Sequence, residues 1–109
     1  MMKSNPKIET IISNLKEYIP QIKEPYKIEE IGIFGSYVRG EETENSDLDI
    51  LIKFSSSIDF GLLGFCQLEN KLTDKLGIKV DLVIKDSLKI NLKNNILDEV
   101  IYLGCAEKV

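Results

Sequence analysis

The residues best suited to chemistry lie within residues 31–54, IGIFGSYVRGEETENSDLDILIKF, where ten residues separate Gly35-Ser36 from Asp47-Leu48-Asp49. A strand over residues 46–54 puts Asp47 and Asp49 on one face and Leu48 and Ile50 on the other, because strand side chains alternate. Two carboxylates held that close raise each other's pKa unless positive charge sits between them. A divalent cation resolves the conflict. Hard oxygen ligands select Mg²⁺ or Mn²⁺, and Mg²⁺ is normally held by one or two carboxylates together with substrate phosphates. The Gly-Ser pair supplies the complementary half. Gly35 lets backbone approach a phosphate closely, and Ser36, at the first turn of a short helix, offers a hydroxyl and free backbone N–H groups to an anion. Arg39, three residues on, lies on the same side of that turn and can reach the same phosphate.

A third carboxylate, Asp81, sits in IKVDLVI, residues 78–84, a β-branched run bounded by Gly77 and Asp86 that reads as a buried strand. A charge in such a place is rarely left unpaired, because burying it costs too much. Taken alone, Asp81 is as well explained by a salt bridge to a lysine or a backbone-capping role. A strand beside that of Asp47 and Asp49 would instead bring it to the same metal cluster, and the combination favours that function. Other readings of the Asp-x-Asp pair are weaker. Isolated pairs are common on solvated edges and turns, a calcium loop fails because Ile50 stands where glycine is required, and no G-x-x-x-x-G-K-[ST] phosphate loop occurs.

The elements that position these residues follow from periodicity and punctuation. Asn5 as N-cap and Pro6 at the first position open a helix whose Ile8, Ile11, Ile12, Leu15 and Ile19 recur at helical spacing, with Pro20 fitting a stop soon after. Residues 27–34 form a strand that delivers Gly35, a short helix runs from Ser36 to near Gly40, and residues 41–45 are a polar loop. Ser55, Ser56 and Ser57 turn the chain into a long helix along Ile58, Leu62, Phe65, Leu68, Leu72 and Leu76, which Gly77 closes. Gly61 and Gly64 weaken its first half; close packing against the sheet is the simpler explanation, and the approach of a partner backbone the sharper one. After the Asp81 strand and a turn at Asp86-Ser87, a closing helix is expected along Leu92, Ile96, Val100 and Leu103, ended by Gly104. A full helix between the Asp47 and Asp81 strands suits a parallel right-handed crossover; the first two strands, joined by a shorter link, suit an antiparallel pair. The predicted fold is α/β (α+β): one domain over residues 1–109, with a small mixed sheet of three to four strands packed with helices.

Composition narrows the function. The chain has 109 residues, 43% hydrophobic and 29% charged, as in an ordinary globular domain with a modest core. Fourteen Lys and Arg against 18 Asp and Glu give a formal charge of −4, which argues against direct nucleic-acid binding through clustered basic residues. No histidine is present, so Ser-His-Asp and Cys-His mechanisms and imidazole-ligated zinc are excluded. Cys66 and Cys105 share no ligand-like spacing and read as reduced thiols, Cys66 within the helical apolar pattern and Cys105 near a loose terminus. With no signal-type or membrane-spanning segment, a cytoplasmic location and no membrane partner are expected.

The run GSYVRGEETENSDLDILIKF, followed by KVDLVI, resembles the minimal nucleotidyltransferase family of the polymerase-β-type superfamily, whose motif is Gly-Ser, a spacer, Asp-x-Asp and a third Asp on a later strand. The match spans essentially the whole chain, and every motif residue is present. The resemblance implies that Gly35 and Ser36 hold nucleotide phosphates, that Asp47 and Asp49 bind metal, and that Asp81 completes the metal site or acts as base. Two Mg²⁺ ions (Mn²⁺ being possible) on the three aspartates would then clamp the triphosphate of ATP for in-line attack by a hydroxyl. Such minimal enzymes typically act as antitoxins in HEPN/MNT toxin–antitoxin pairs, transferring AMP to a tyrosine of a HEPN-type ribonuclease toxin. Because the core uses nearly every residue, the acceptor is expected to be presented by another protein. Alternatives are an antitoxin that masks its partner without catalysis and a nucleotidyltransferase subunit acting on a small molecule.

Overall fold

The structure, a computed structural model, describes residues 7–55 and 61–105. The elements are α1 (Ile8–Lys23), β1 (Ile28–Phe34), α2 (Ser36–Arg39), β2 (Leu48–Phe54), α3 (Gly61–Leu76), β3 (Val80–Ile84), a 3₁₀ turn (Lys85–Ser87), α4 (Ile90–Glu99) and β4 (Ile101–Cys105). Lys7 is the N-cap residue of α1, and Pro20 sits inside the final turn of that helix, which runs on to Lys23. Asn5, Pro6, Ser56, Ser57 and Ile58, to which the sequence assigns capping, turn and core roles, lie outside the described residues.

The strands form one sheet in the order β3-β2-β1-β4, with β1 antiparallel to both β2 and β4 and β2 parallel to β3. The strands joined through α3 are therefore parallel, and those joined by the shorter β1–β2 link antiparallel, as the lengths of the connections predict. Register then sorts the side chains. Ile31 stands opposite Ile52 and Ile33 opposite Ile50, while Ile50 and Leu48 stand opposite Leu82 and Val80. All of these join Ile11, Leu15, Ile19 and Ile22 of α1 and Leu68, Leu72 and Leu76 of α3 in one hydrophobic core. By alternation, Phe34, Asp49 and Asp81 belong to the opposite face, away from the two long helices. Leu48, Ile50 and Ile52 have no exposure, and each such burial is worth about 1.5–3 kcal/mol. The strand that carries Asp49 is thus pinned by every second residue.

Three expectations need correction. Residues 100–103 do not continue the last helix: α4 ends at Glu99, Val100 is extended (φ −66°, ψ 140°), and β4 pairs with the open edge of β1. Gly32 makes that approach possible, since a Cβ there would lie 2.8 Å from the Ile101 carbonyl oxygen and 2.9 Å from Val100 Cγ2. Nor is Asp81 buried. It lies on an edge strand and is exposed, so its charge needs no buried partner. Cys66, read within the apolar pattern of α3, is also exposed. The free edge of β3 is covered from α3 instead: Thr73 Oγ1 accepts the Val80 N–H (3.0 Å) and Glu69 Oε2 the Leu82 N–H (2.9 Å), which blunts an edge that could otherwise pair with another chain. No described helix is long and apolar enough to cross a membrane.

Candidate active site

The site is built where β1 ends and α2 begins. Gly35, the N-cap residue of α2, has φ +89° and ψ −156°, a region that essentially only glycine adopts. Its carbonyl accepts the N–H groups of Val38 and Arg39 at 3.0 and 3.1 Å, and the Ser36 carbonyl accepts that of Glu41 at 2.9 Å. Tyr37, 2% exposed, anchors the short helix in the core, while Ser36 and Arg39 stay accessible. In this first turn the N–H groups of Ser36 and Tyr37 have no acceptor within the helix. Asp49 lies directly over the turn. A Cβ on Gly35 would come within 2.1 Å of Asp49 Oδ2, so the missing side chain is the space the carboxylate occupies.

Asp47 is placed by the loop that enters β2, and Asp81 by the neighbouring strand β3. The polar loop is internally tied: Thr43 N–H donates to Ser46 Oγ (2.8 Å), Ser46 N–H to the Thr43 carbonyl (3.0 Å) and Asn45 N–H to Thr43 Oγ1 (3.2 Å). That turn leads into Asp47, which is half-buried and immediately precedes β2 rather than lying within it. Leu48 N–H donates to the Lys79 carbonyl at 2.8 Å, fixing the start of β2 against β3. Asp49 is then in register with Asp81, and across β1 with Phe34.

This placement has an electrostatic cost. Burial, followed by the charges of Asp81 and Asp47, pushes the Asp49 carboxyl up from 3.8 to about 6; Arg39 pulls it down and Glu99 adds a smaller push upward. Burial and the charges of Glu42 and Asp47 likewise raise the Tyr37 hydroxyl, which has no hydrogen-bond partner among the described residues. Among the described residues no three acidic or sulfur ligands are drawn together closely enough to hold a metal ion by themselves. The oxygen-only donors still fit a hard divalent cation, because Mg²⁺ takes one or two carboxylates and fills its remaining positions with phosphate and water. The three predicted ligands are therefore neighbours by register and by charge, short of a closed cage.

A pH dependence follows. The folded Asp49 carboxyl holds its proton to about pH 6, whereas the unfolded chain releases it near 3.8, so ionisation removes stability as pH rises between these values. The metal-free chain should melt at a higher temperature at about pH 5 than at about pH 7, and Asp49→Asn should remove the difference attributable to this group. Thermal melts of both proteins across that range check it.

Two participating residues, Glu99 and Glu41, are missing from the sequence reading. Glu99, the last residue of α4, accepts the Gly35 N–H on Oε2 at 2.7 Å, and both its carboxylate oxygens lie 3.1 Å from Arg39 Nη1. Glu41 Oε1 accepts Arg39 Nε–H at 2.9 Å. The acidic residues that follow Arg39 could have signalled the second contact; nothing local signals the first, which spans 64 residues in sequence.

Residues 15–103, the segment holding the Gly-Ser turn and all three aspartates, match the model of the nucleotidyltransferase domain family. Protein adenylyltransferase MntA of Thermococcus cleftensis is 45% identical over 96 residues, covering 88% of this chain and 95% of the relative. A solved structure assigned as a minimal nucleotidyltransferase superposes with a TM-score of 0.74 at 31% identity, over 91% of this chain and 98% of the other. A toxin–antitoxin structure with AMP-PNP gives a TM-score of 0.68 at 26% identity, over 84% and 74% of the two chains. The arrangement of helices and strands is thus shared with a minimal nucleotidyltransferase, and this chain belongs to the nucleotidyltransferase domain family.

Proposed function

We propose that this nucleotidyltransferase is a protein adenylyltransferase that transfers AMP from ATP to a hydroxyl, a tyrosine of a HEPN-type ribonuclease toxin, and so acts as its antitoxin. The observation that carries the reading is the packing of Asp49 onto Gly35 with Asp81 in register beside it, which sets carboxylates against the donors of a Gly-Ser turn. In this reading Ser36, through its N–H and hydroxyl, and Arg39 bind the triphosphate, and Asp47, Asp49 and Asp81 hold Mg²⁺ or Mn²⁺. The bound cation supplies charge neutralisation for the triphosphate and for the departing pyrophosphate. The site needs it: Asp47, Asp49, Asp81, Glu41 and Glu99 outnumber Arg39, so a bare triphosphate is repelled. Asp81, exposed at the sheet edge, completes this metal site or takes the proton of the attacking hydroxyl, whose oxygen bonds to the α-phosphorus as the bond to pyrophosphate breaks.

Two further observations support an acceptor carried by another protein. The relative MntA is named a protein adenylyltransferase, and the AMP-PNP structure is of a toxin–antitoxin complex. The test is intact-mass spectrometry of the protein encoded beside this one after incubation with the chain, ATP and Mg²⁺. A gain in AMP-sized steps, lost with EDTA, is expected. A stable complex with no gain would favour masking without catalysis, and transfer to a small molecule in place of the protein would favour the third reading.

A further inference from the structure

Arg39 is gripped from two sides. Glu41 takes Nε and Glu99 takes Nη1, so the guanidinium keeps one edge, Nη2, with no acceptor among the described residues. The two grips are unequal. The side chain of Glu41 is 64% exposed and that of Glu99 only 24%, and exposed pairs hold little. Glu99 also accepts the Gly35 N–H at 2.7 Å, so one carboxylate fixes both the Gly-Ser turn and the arginine three residues beyond it. Its own position is set by the fold, since α4 stops at Glu99 and the next residues are committed to pairing with β1 through the close approach at Gly32.

We propose that Glu99 is a positioning residue of the nucleotide site: through Arg39 and the Gly35 amide it holds the phosphate-facing donors, Arg39 Nη2 and the Ser36 N–H and hydroxyl, in place before nucleotide arrives. The inference rests on the nucleotide reading above. Glu99 touches no phosphate itself. Its charge is spent on Arg39, so what it contributes is orientation, which lowers the entropy lost when a flexible arginine closes on its ligand.

Glu99→Gln separates this role from simple packing. The glutamine keeps size and can still accept the Gly35 N–H, but it loses the charge that holds Arg39. Binding of AMP-PNP with Mg²⁺, measured by calorimetry, is expected to weaken about tenfold in E99Q, in the range of coupled polar pairs. Arg39→Ala should weaken it at least as much, and the E99Q/R39A double variant no further than R39A alone. Glu99→Asp, which retains the charge one methylene back, should recover part of the loss, and melting curves should stay close to wild type throughout. Independent, multiplying losses would reduce Glu99 to a structural role, and tighter binding in E99Q would make it a competitor of phosphate; either overturns the proposal while the nucleotide reading stands. No binding by the wild-type chain would overturn the nucleotide reading itself, and this inference with it.

Discussion

Replacing Asp49 by asparagine is expected to abolish nucleotidyl transfer, by about 10³-fold or more, since a ligand for charge-stabilising metal is worth several kcal/mol in the transition state. The same change should leave the fold intact. Asparagine has the shape of aspartate and fills the space over Gly35 equally well, and it removes a carboxyl that burial and two neighbouring aspartates already push up to about 6. At neutral pH the metal-free variant should therefore melt no lower than wild type. Opposite effects on activity and stability are the signature of a site whose carboxylates are held together for a ligand. Product analysis alongside thermal melting checks both halves; retained activity would remove Asp49 from the metal set, and a large drop in melting temperature would give it a structural role. Asp47→Asn should act in the same direction. At Asp81 the variant also probes proton transfer, so the pH profile of residual transfer should change as well.

The parts of this site that the sequence disclosed are those encoded locally. An apolar strand running into Gly-Ser, an Asp-x-Asp opening the next strand, and a helix between that strand and Asp81 are adjacent in the chain, and alternation plus loop length suffices to place them. The errors lie where distant contacts decide. Leu92, Ile96, Val100 and Leu103 keep helical spacing, but Ile101 and Tyr102 are as well suited to a strand, and the unpaired edge of β1 decides for pairing. The apolar run around Asp81 looks the same whether a strand is central or at an edge; only sheet order makes Asp81 exposed. Glu99 was illegible for a related reason. It reads as one more polar position on a helix, and its significance comes from the chain reversal that sets the end of α4 beside Gly35 and Arg39.

Gly35→Ala carries the other large expected effect, and its origin is steric where that of Asp49→Asn is electrostatic. Two penalties coincide. The backbone at φ +89° and ψ −156° costs a non-glycine residue about 1–3 kcal/mol, and the new Cβ would stand 2.1 Å from Asp49 Oδ2 and 3.0 Å from its Cγ. Because Leu48 and Ile50 on either side of Asp49 are fully buried, the strand cannot retreat, so the carboxylate must rotate away or the turn must deform. Either movement separates Asp49 from the donors of Ser36 and Arg39. The variant should lose transfer as completely as Asp49→Asn, but with a lower melting temperature, and the Gly35 N–H should no longer meet Glu99. The double variant Gly35→Ala/Asp49→Asn tests this reading: if the clash alone displaced the site, asparagine would suffer it equally and stability would not recover. If repulsion of a carboxylate driven onto its neighbours dominated, neutralising it would restore part of the lost melting temperature. The steric account predicts the first result, because the space over Gly35 is filled by the shape of the side chain and not by its charge.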